Sequence, residues 1–69
     1  MQIYDFTVPE LNKFRELCNF TDDESEYFEL RSKKKSNVEI ALAMHVSEAQ
    51  VSKLARKVKN KIIRILPLI

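Results

Sequence analysis

The sequence predicts an all-α fold, one small domain of four helices spanning residues 1–69. Three observations carry this expectation. The chain contains no glycine, which disfavours the tight hairpins that all-β folds depend on. The capping-box pattern S/T-x-x-E/Q occurs four times, each time ahead of helix-forming residues, and each match can satisfy two orphan amides at a helix start. The apolar residues behind the first, third and fourth starts recur at helical rather than alternating spacing.

The first start, Thr7-Val8-Pro9-Glu10, opens a helix expected from Val8 to about Cys18, with Leu11, Phe14, Leu17 and Cys18 on one face. Pro9 falls in the first turn, where a missing amide hydrogen costs nothing. Phe6 and Leu11 flank the cap as a hydrophobic staple requires. The second, Thr21-Asp22-Asp23-Glu24, opens a helix from Asp22 to about Ser32. Its first turn is loaded with carboxylates, as the macrodipole favours. Tyr27, Phe28 and Leu30 are its apolar residues, and Arg31 to Lys35 bring cations to its C-terminal end.

The third start, Ser36-Asn37-Val38-Glu39, opens a short helix from Asn37 to Met44 with Ile40, Ala41 and Met44 inward. Ser47-Glu48-Ala49-Gln50 opens a long one, from Glu48 to about Leu66, striped by Val51, Leu54, Ala55, Val58, Ile62 and Ile65. Pro67 ends it.

Length and composition narrow the function classes. A chain this short has no room for a catalytic domain with its own second layer. Without glycine, no Gly-rich phosphate loop can form. The single cysteine, Cys18, cannot close an internal disulfide. The opening MQIYDFTVPE lacks the basic start and apolar core of a signal peptide. The apolar end from Ile62 to Ile69 is broken by Arg64 and Pro67 and is too short to span a bilayer. A soluble, cytoplasmic protein is the expectation.

The net charge of +2 is unevenly distributed. Residues 1–30 carry eight carboxylates against Lys13 and Arg15, a net −6, and residues 31–69 carry ten Lys or Arg against Glu39 and Glu48, a net +8. Such a split offers a basic half to a polyanion. A monomer whose halves simply attract is the plainer account of the same pattern.

Only Met44-His45-Val46-Ser47 joins the third helix to the fourth. A short helix, a tight turn and a longer helix are the makings of a helix-turn-helix. Ala41 supplies the small residue needed where two such helices approach, and Ile40, Met44, Val46, Val51 and Leu54 supply apolar residues on both sides of the turn. Residues 36–58, SNVEIALAMHVSEAQVSKLARKV, resemble the helix-turn-helix of bacterial sigma factor region four and of LuxR-type effector domains. The resemblance rests on Glu39-Ile40-Ala41, on Val46-Ser47 at the turn, and on Val51 and Leu54 anchoring the next helix. The acidic helix from Thr21 to Ser32 matches the one preceding the motif. Residues 21–66 thus form a region-four-like tri-helical unit, with residues 1–20 as a helical extension outside the resemblance. His45 stands where that family usually has Gly, and His is among the residues enriched at positive φ.

The resemblance implies that the fourth helix enters the DNA major groove. Its outward residues suit that task on chemical grounds. Gln50 can pair with adenine, Arg56 or Lys53 with guanine, and Glu48 can accept from cytosine. Ala49 and Ser52 are small enough for close approach, and Lys57 lies beside them. Ser47 and the helix-three amides at Asn37 and Val38 can meet phosphates. Lys33, Lys34 and Lys35, followed by Ser36, sit just before the third helix as a clamp on the backbone.

No enzyme, cofactor or metal site is expected. His45 has neither a second His nor a Cys pair beside it. Cys18 reads as a small core residue, and Phe14, Phe20, Tyr27 and Phe28 as core aromatics. The carboxylates at Asp22, Asp23, Glu24 and Glu26 read as ordinary helix-start chemistry. The function expected is therefore a sequence-specific, DNA-binding transcriptional regulator. The alternative is a protein-interaction adaptor that docks on RNA polymerase or another protein through the stripe along residues 51–65 and the Ile62-Ile63-Arg64-Ile65-Leu66 end. A homodimer is also expected. Beyond Arg56 the fourth helix places Val58, Ile62, Ile65 and Leu66 on one side, with Ile63, Leu68 and Ile69 nearby, and helix one brings little to cover them. LuxR-type domains pair through their last helix.

Overall fold

The computed structural model describes residues 3–68. A 3-10 turn at Ile3–Asp5 leads into four helices, α1 (Val8–Leu17), α2 (Asp22–Ser32), α3 (Asn37–Met44) and α4 (Glu48–Ile65), and a second 3-10 turn at Leu66–Leu68 follows. No strand occurs among the described residues. The protein is all-α with four helices, and each starts at its expected cap.

Thr7, Thr21 and Ser36 each make both halves of a capping box. The Thr21 amide, for example, donates to Glu24 at 2.9 Å while the Glu24 amide donates to the Thr21 hydroxyl at 3.3 Å. The fourth box is only half made. The Ser47 hydroxyl accepts from the Gln50 amide at 3.2 Å, and Ser47 receives no return bond from the Gln50 side chain. A neutral amide lacks the charge that strengthens the carboxylate's return bond in the other three. The helix ends also differ slightly from expectation. Cys18 caps α1 by donating its amide to the Phe14 carbonyl at 2.9 Å. At the far end, α4 tightens into 3-10 geometry where Pro67 cannot continue the ladder.

In a chain without glycine, each junction between helices puts a residue with a side chain into the left-handed region: Asn19 at φ 53°, Lys34 at 66° and His45 at 57°. Each such position costs roughly 1–2 kcal/mol. Two of the three are held by paired backbone bonds of the Schellman type. After α2, the Lys35 amide returns to Leu30 at 3.3 Å and the Lys34 amide to Arg31 at 2.9 Å. After α3, the Val46 amide returns to Ala41 at 3.0 Å and the His45 amide to Leu42 at 3.4 Å.

One core joins all the helices. Val51, Leu54, Val58 and Ile62 form the buried stripe of α4, meeting Tyr27 and Phe28 of α2, Ile40 and Ala41 of α3, and Leu11 and Phe14 of α1. Phe14 and Phe28 are fully buried and meet edge to face at 6.4 Å, with Phe6 on Phe14 at 4.8 Å and Phe20 on Phe28 at 5.0 Å. Cys18 is buried, as expected. Arg15 clasps α1 to α2 through two bonds to Glu29, at 2.6 and 2.9 Å, with its guanidinium 5.4 Å from the Phe28 ring centre.

Two expectations about the core are corrected. Leu17 is 45 % exposed rather than inward, because the core side of α1 is already filled by Leu11, Phe14 and Cys18. Val58 and Ile62 are completely buried within the chain, so the expected uncovered stripe along α4 does not exist. The apolar residues left exposed beyond Arg56 are Ile63, Leu66 and Leu68, while Ile69 lies outside the described residues.

Candidate nucleic-acid interface

The junction between α3 and α4 is His45, Val46 and Ser47. The left-handed backbone of His45 turns the chain, half-buried Val46 turns toward the core, and the Ser47 hydroxyl caps α4. Ile40 and Ala41 on one side and Val51 and Leu54 on the other are buried. Burying these four residues fixes the rotation of α4 about its axis, and with it which residues face water.

Glu48, Ala49, Ser52, Lys53, Arg56 and Lys57 are all exposed, and Gln50 is half-buried. At 3.6 residues per turn, Ala49, Ser52, Lys53 and Arg56 share a stripe opposite Val51 and Val58. No carboxylate of the described residues lies within 4.0 Å of Lys53, Arg56, Lys57, Lys59 or Arg64. The ion pairs form elsewhere: Lys13 with Glu16 at 3.8 Å, Arg15 with Glu29, Lys35 with Glu39 at 3.9 Å, and Lys61 with Glu24. Of these four, only Lys61–Glu24 crosses from the basic half of the chain to the acidic half. Among the described residues, attraction between halves therefore leaves Lys53, Arg56 and Lys57 of α4 without an ion pair.

The second group of expected site residues is the loop before α3. Lys33, Lys34, Lys35, Ser36 and Asn37 are all exposed there. The Lys34 Nζ lies 5.6 Å from the centre of the Tyr4 ring, and the Arg31 guanidinium lies 5.9 Å from the same ring. Arg31 also donates to the Lys35 carbonyl at 2.8 Å. The Ser36 amide and hydroxyl bonds, helped by the charge of Lys35, outweigh desolvation and hold the Glu39 carboxyl below its ordinary range. Glu39 is thus ionised, and it offsets one of the three loop lysines. The Ser36 and Ser47 hydroxyls each accept an amide bond at a helix start, which leaves each hydroxyl hydrogen available to donate to an anion.

About 12 Å of helix, the length of α3, separates the lysine loop from the start of α4. The structure therefore brings the expected residues into two groups rather than one. Tyr4 and Arg31 were not among them. Tyr4 lies before the first cap and far from Lys34 in sequence, so no helical spacing connects the two.

Elsewhere, a groove of about 300 Å³ is lined by Leu17, Cys18, Asn19, Lys61, Arg64 and Ile65. Burial pushes the Cys18 thiol up despite the nearby Lys61 charge, which keeps it in the unreactive thiol form. Among the described residues no group of three or more His, Cys, Asp or Glu could hold a metal ion. Among the described residues no helix is long and apolar enough to cross a membrane. No family model, curated protein or solved structure matches this chain.

Proposed function

We propose that this protein is a sequence-specific, double-stranded-DNA-binding transcriptional regulator, not an enzyme, acting in the cytoplasm. In this reading α3 and α4 form a helix-turn-helix. The supporting observation is the outer face of α4, where Lys53, Arg56 and Lys57 stand exposed without an ion-pair partner among the described residues, beside the small residues Ala49 and Ser52. Arg56 or Lys53 reads guanine, Gln50 adenine and Glu48 cytosine. Lys34, Lys35, Ser36, Asn37 and Ser47 grip phosphates on either side of α3. The sequence resemblance of residues 36–58 to sigma region four and LuxR-type domains favours the same assignment.

Pairing of two copies through the end of α4 is part of the proposal. With Val58 and Ile62 used internally, exposed Ile63, Leu66 and Leu68 supply the contact. A two-fold pair matches half-sites about one DNA turn apart. The same three residues also favour a second reading, docking on RNA polymerase or another protein.

Selection of bound fragments from a random duplex pool tests the reading. A recovered motif, with affinity falling steeply between ~50 and ~200 mM salt, supports DNA recognition. Arg56→Ala is then expected to cost about 1–3 kcal/mol and relax preference at one base pair. Salt-insensitive binding to protein alone would support the docking reading instead.

A further inference from the structure

The three lysines before α3, together with Arg31, place four cations within five residues. Such a cluster repels itself and, on a flexible loop, would spread apart. Here it is held. The Lys34 backbone sits at φ 66° and is locked by the paired amide bonds to Leu30 and Arg31. The Arg31 guanidinium is tied to the Lys35 carbonyl. Above all, the ring of half-buried Tyr4 takes both the Lys34 ammonium, at 5.6 Å, and the Arg31 guanidinium, at 5.9 Å. The negative face of an aromatic ring attracts cations and so offsets part of their mutual repulsion.

Tyr4 is itself fixed. Its 3-10 turn packs against α2, with Ile3 buried beside it, and Phe6 anchors the following residues edge-on to Phe14 at 4.8 Å. The residues ahead of α1 therefore have a task that nothing in their own sequence shows. They carry an aromatic platform to the basic loop.

The geometry points to Tyr4 as the positioning residue of a preformed phosphate clamp made by Arg31 and Lys34. This inference rests on the DNA reading proposed above and extends that interface to the N-terminal segment. Two cations gathered on one aromatic ring before binding suit the phosphates of a nucleic-acid backbone, and a lysine already ordered loses less freedom on contact than a mobile one. Tyr4 acts through the cations and contributes no charge of its own, which distinguishes its effect from theirs.

The experiment is a salt titration of duplex binding by the full chain, using the motif recovered from the random pool, with Tyr4→Leu, Tyr4→Phe and Lys34→Ala. Tyr4→Leu is expected to weaken binding about two- to fivefold, the range of an exposed cation–π contact, with the salt slope unchanged because no charge is removed. Tyr4→Phe keeps the ring and is expected to bind like the wild type. Lys34→Ala lowers the slope by about one, and adding Tyr4→Leu to it costs less than Tyr4→Leu costs alone. Proton spectra of the DNA-free protein give a separate readout: ring-current shifts on the Lys34 side-chain methylenes, lost in Tyr4→Leu and kept in Tyr4→Phe. Wild-type binding at every salt by Tyr4→Leu, with the duplex still bound by the wild type, overturns the inference and leaves the DNA reading standing. Equal losses in Tyr4→Phe and Tyr4→Leu overturn it too, by assigning the effect to the hydroxyl. A wild-type chain that binds no duplex overturns the DNA reading and the clamp together, even where the ring-current shifts are present.

Discussion

Lys61 of α4 donates to the carboxylate of Glu24 in α2, across a sequence separation of 37 residues, and also to the Asn19 carbonyl at 3.2 Å. Glu24 is 4 % exposed and is the buried charged residue of the core, while its other bonds close the capping box with Thr21. One side chain thus serves both a helix start and a contact between helices. Burial alone would raise its pKa, but the Lys61 bond and the Thr21 amide and hydroxyl bonds outweigh it and hold the carboxyl below its ordinary range. An uncompensated buried carboxylate is costly. Lys61→Met, which keeps the apolar stem and removes the charge, is expected to destabilise the fold by about 2–4 kcal/mol. Glu24→Gln weakens the return bond to Thr21, as at Gln50, but removes the buried charge that Lys61→Met leaves unpaired, so Lys61→Met combined with Glu24→Gln is expected to be more stable than Lys61→Met alone. Thermal melts of the four proteins in a double-mutant cycle measure this coupling.

The same linkage sets the acid limit of stability. Glu24, Glu29 and Glu39 are all lowered from an ordinary value of 4.5, Glu29 chiefly by its hydrogen bond from Arg15. A lowered carboxylate binds its proton more readily in the unfolded chain. Its contribution is therefore complete above about pH 4.5 and is lost as the pH falls through the folded values. Burial raises the Cys18 thiol from 9.0 and the Tyr27 phenol from 10.0. Those contributions are complete below about pH 9 and are lost as the pH rises through the folded values. Urea midpoints by circular dichroism are expected to be level from about pH 5 to 8 and to decline on both sides. An unchanged midpoint at pH 3.5 would contradict the carboxylate assignments.

The helix starts were legible in the sequence because capping is local: the Thr or Ser hydroxyl and the Glu three residues on are read from spacing alone. The face of α4 was legible for the same reason, since Val51, Leu54, Val58 and Ile62 repeat at helical spacing. What covers that face was not. Whether α1 and α2 bring enough surface to bury Ile62 depends on how Phe14 and Phe28 meet, and that contact has no signature along the chain. Along the chain Glu24 is one more acid at a helix start, because its partner Lys61 lies two helices away. The basic residues of the candidate interface were legible as a charge split, whereas their arrangement was not. Lys35 pairs with Glu39 within its own turn, Lys34 reaches back to Tyr4, and Arg56 is left unpaired.

His45 offers a direct test of strain at the turn before α4. Its left-handed conformation, at φ 57° and ψ 43°, is one that glycine adopts without steric cost. His45→Gly is expected to stabilise the protein by up to about 1 kcal/mol, the relieved strain exceeding glycine's extra entropy in the unfolded chain. His45→Ile, with a branched Cβ in the same region, is expected to destabilise it by more than about 1 kcal/mol. Chemical denaturation gives both values. Equal stability of the two variants would mean that the turn relaxes out of the left-handed region.

Adjacent residues of α4, Ile62 and Ile63, separate folding from assembly. Ile62 is completely buried, and Ile63 is 48 % exposed. Placing a carboxylate at Ile62 sets a charge in the core without a partner, a change on the order of 4 kcal/mol or more. A chain of this length has a total stability of roughly 3–10 kcal/mol, so Ile62→Asp is expected to lose most of its helical signal in circular dichroism. It therefore reports on folding and says nothing about pairing. Ile63→Asp removes only exposed apolar surface and is expected to change stability by less than about 0.5 kcal/mol. It places its charge beside Leu66, in the surface proposed to join two copies. If that surface pairs, sedimentation at micromolar concentration gives a dimer for the wild type and a monomer for Ile63→Asp at unchanged helicity. The variant then also loses affinity for a two-half-site duplex while keeping it for a single half-site. A wild-type chain that sediments as a monomer, both alone and on the two-half-site duplex, removes pairing from the proposal and leaves each copy to read DNA through its own α4.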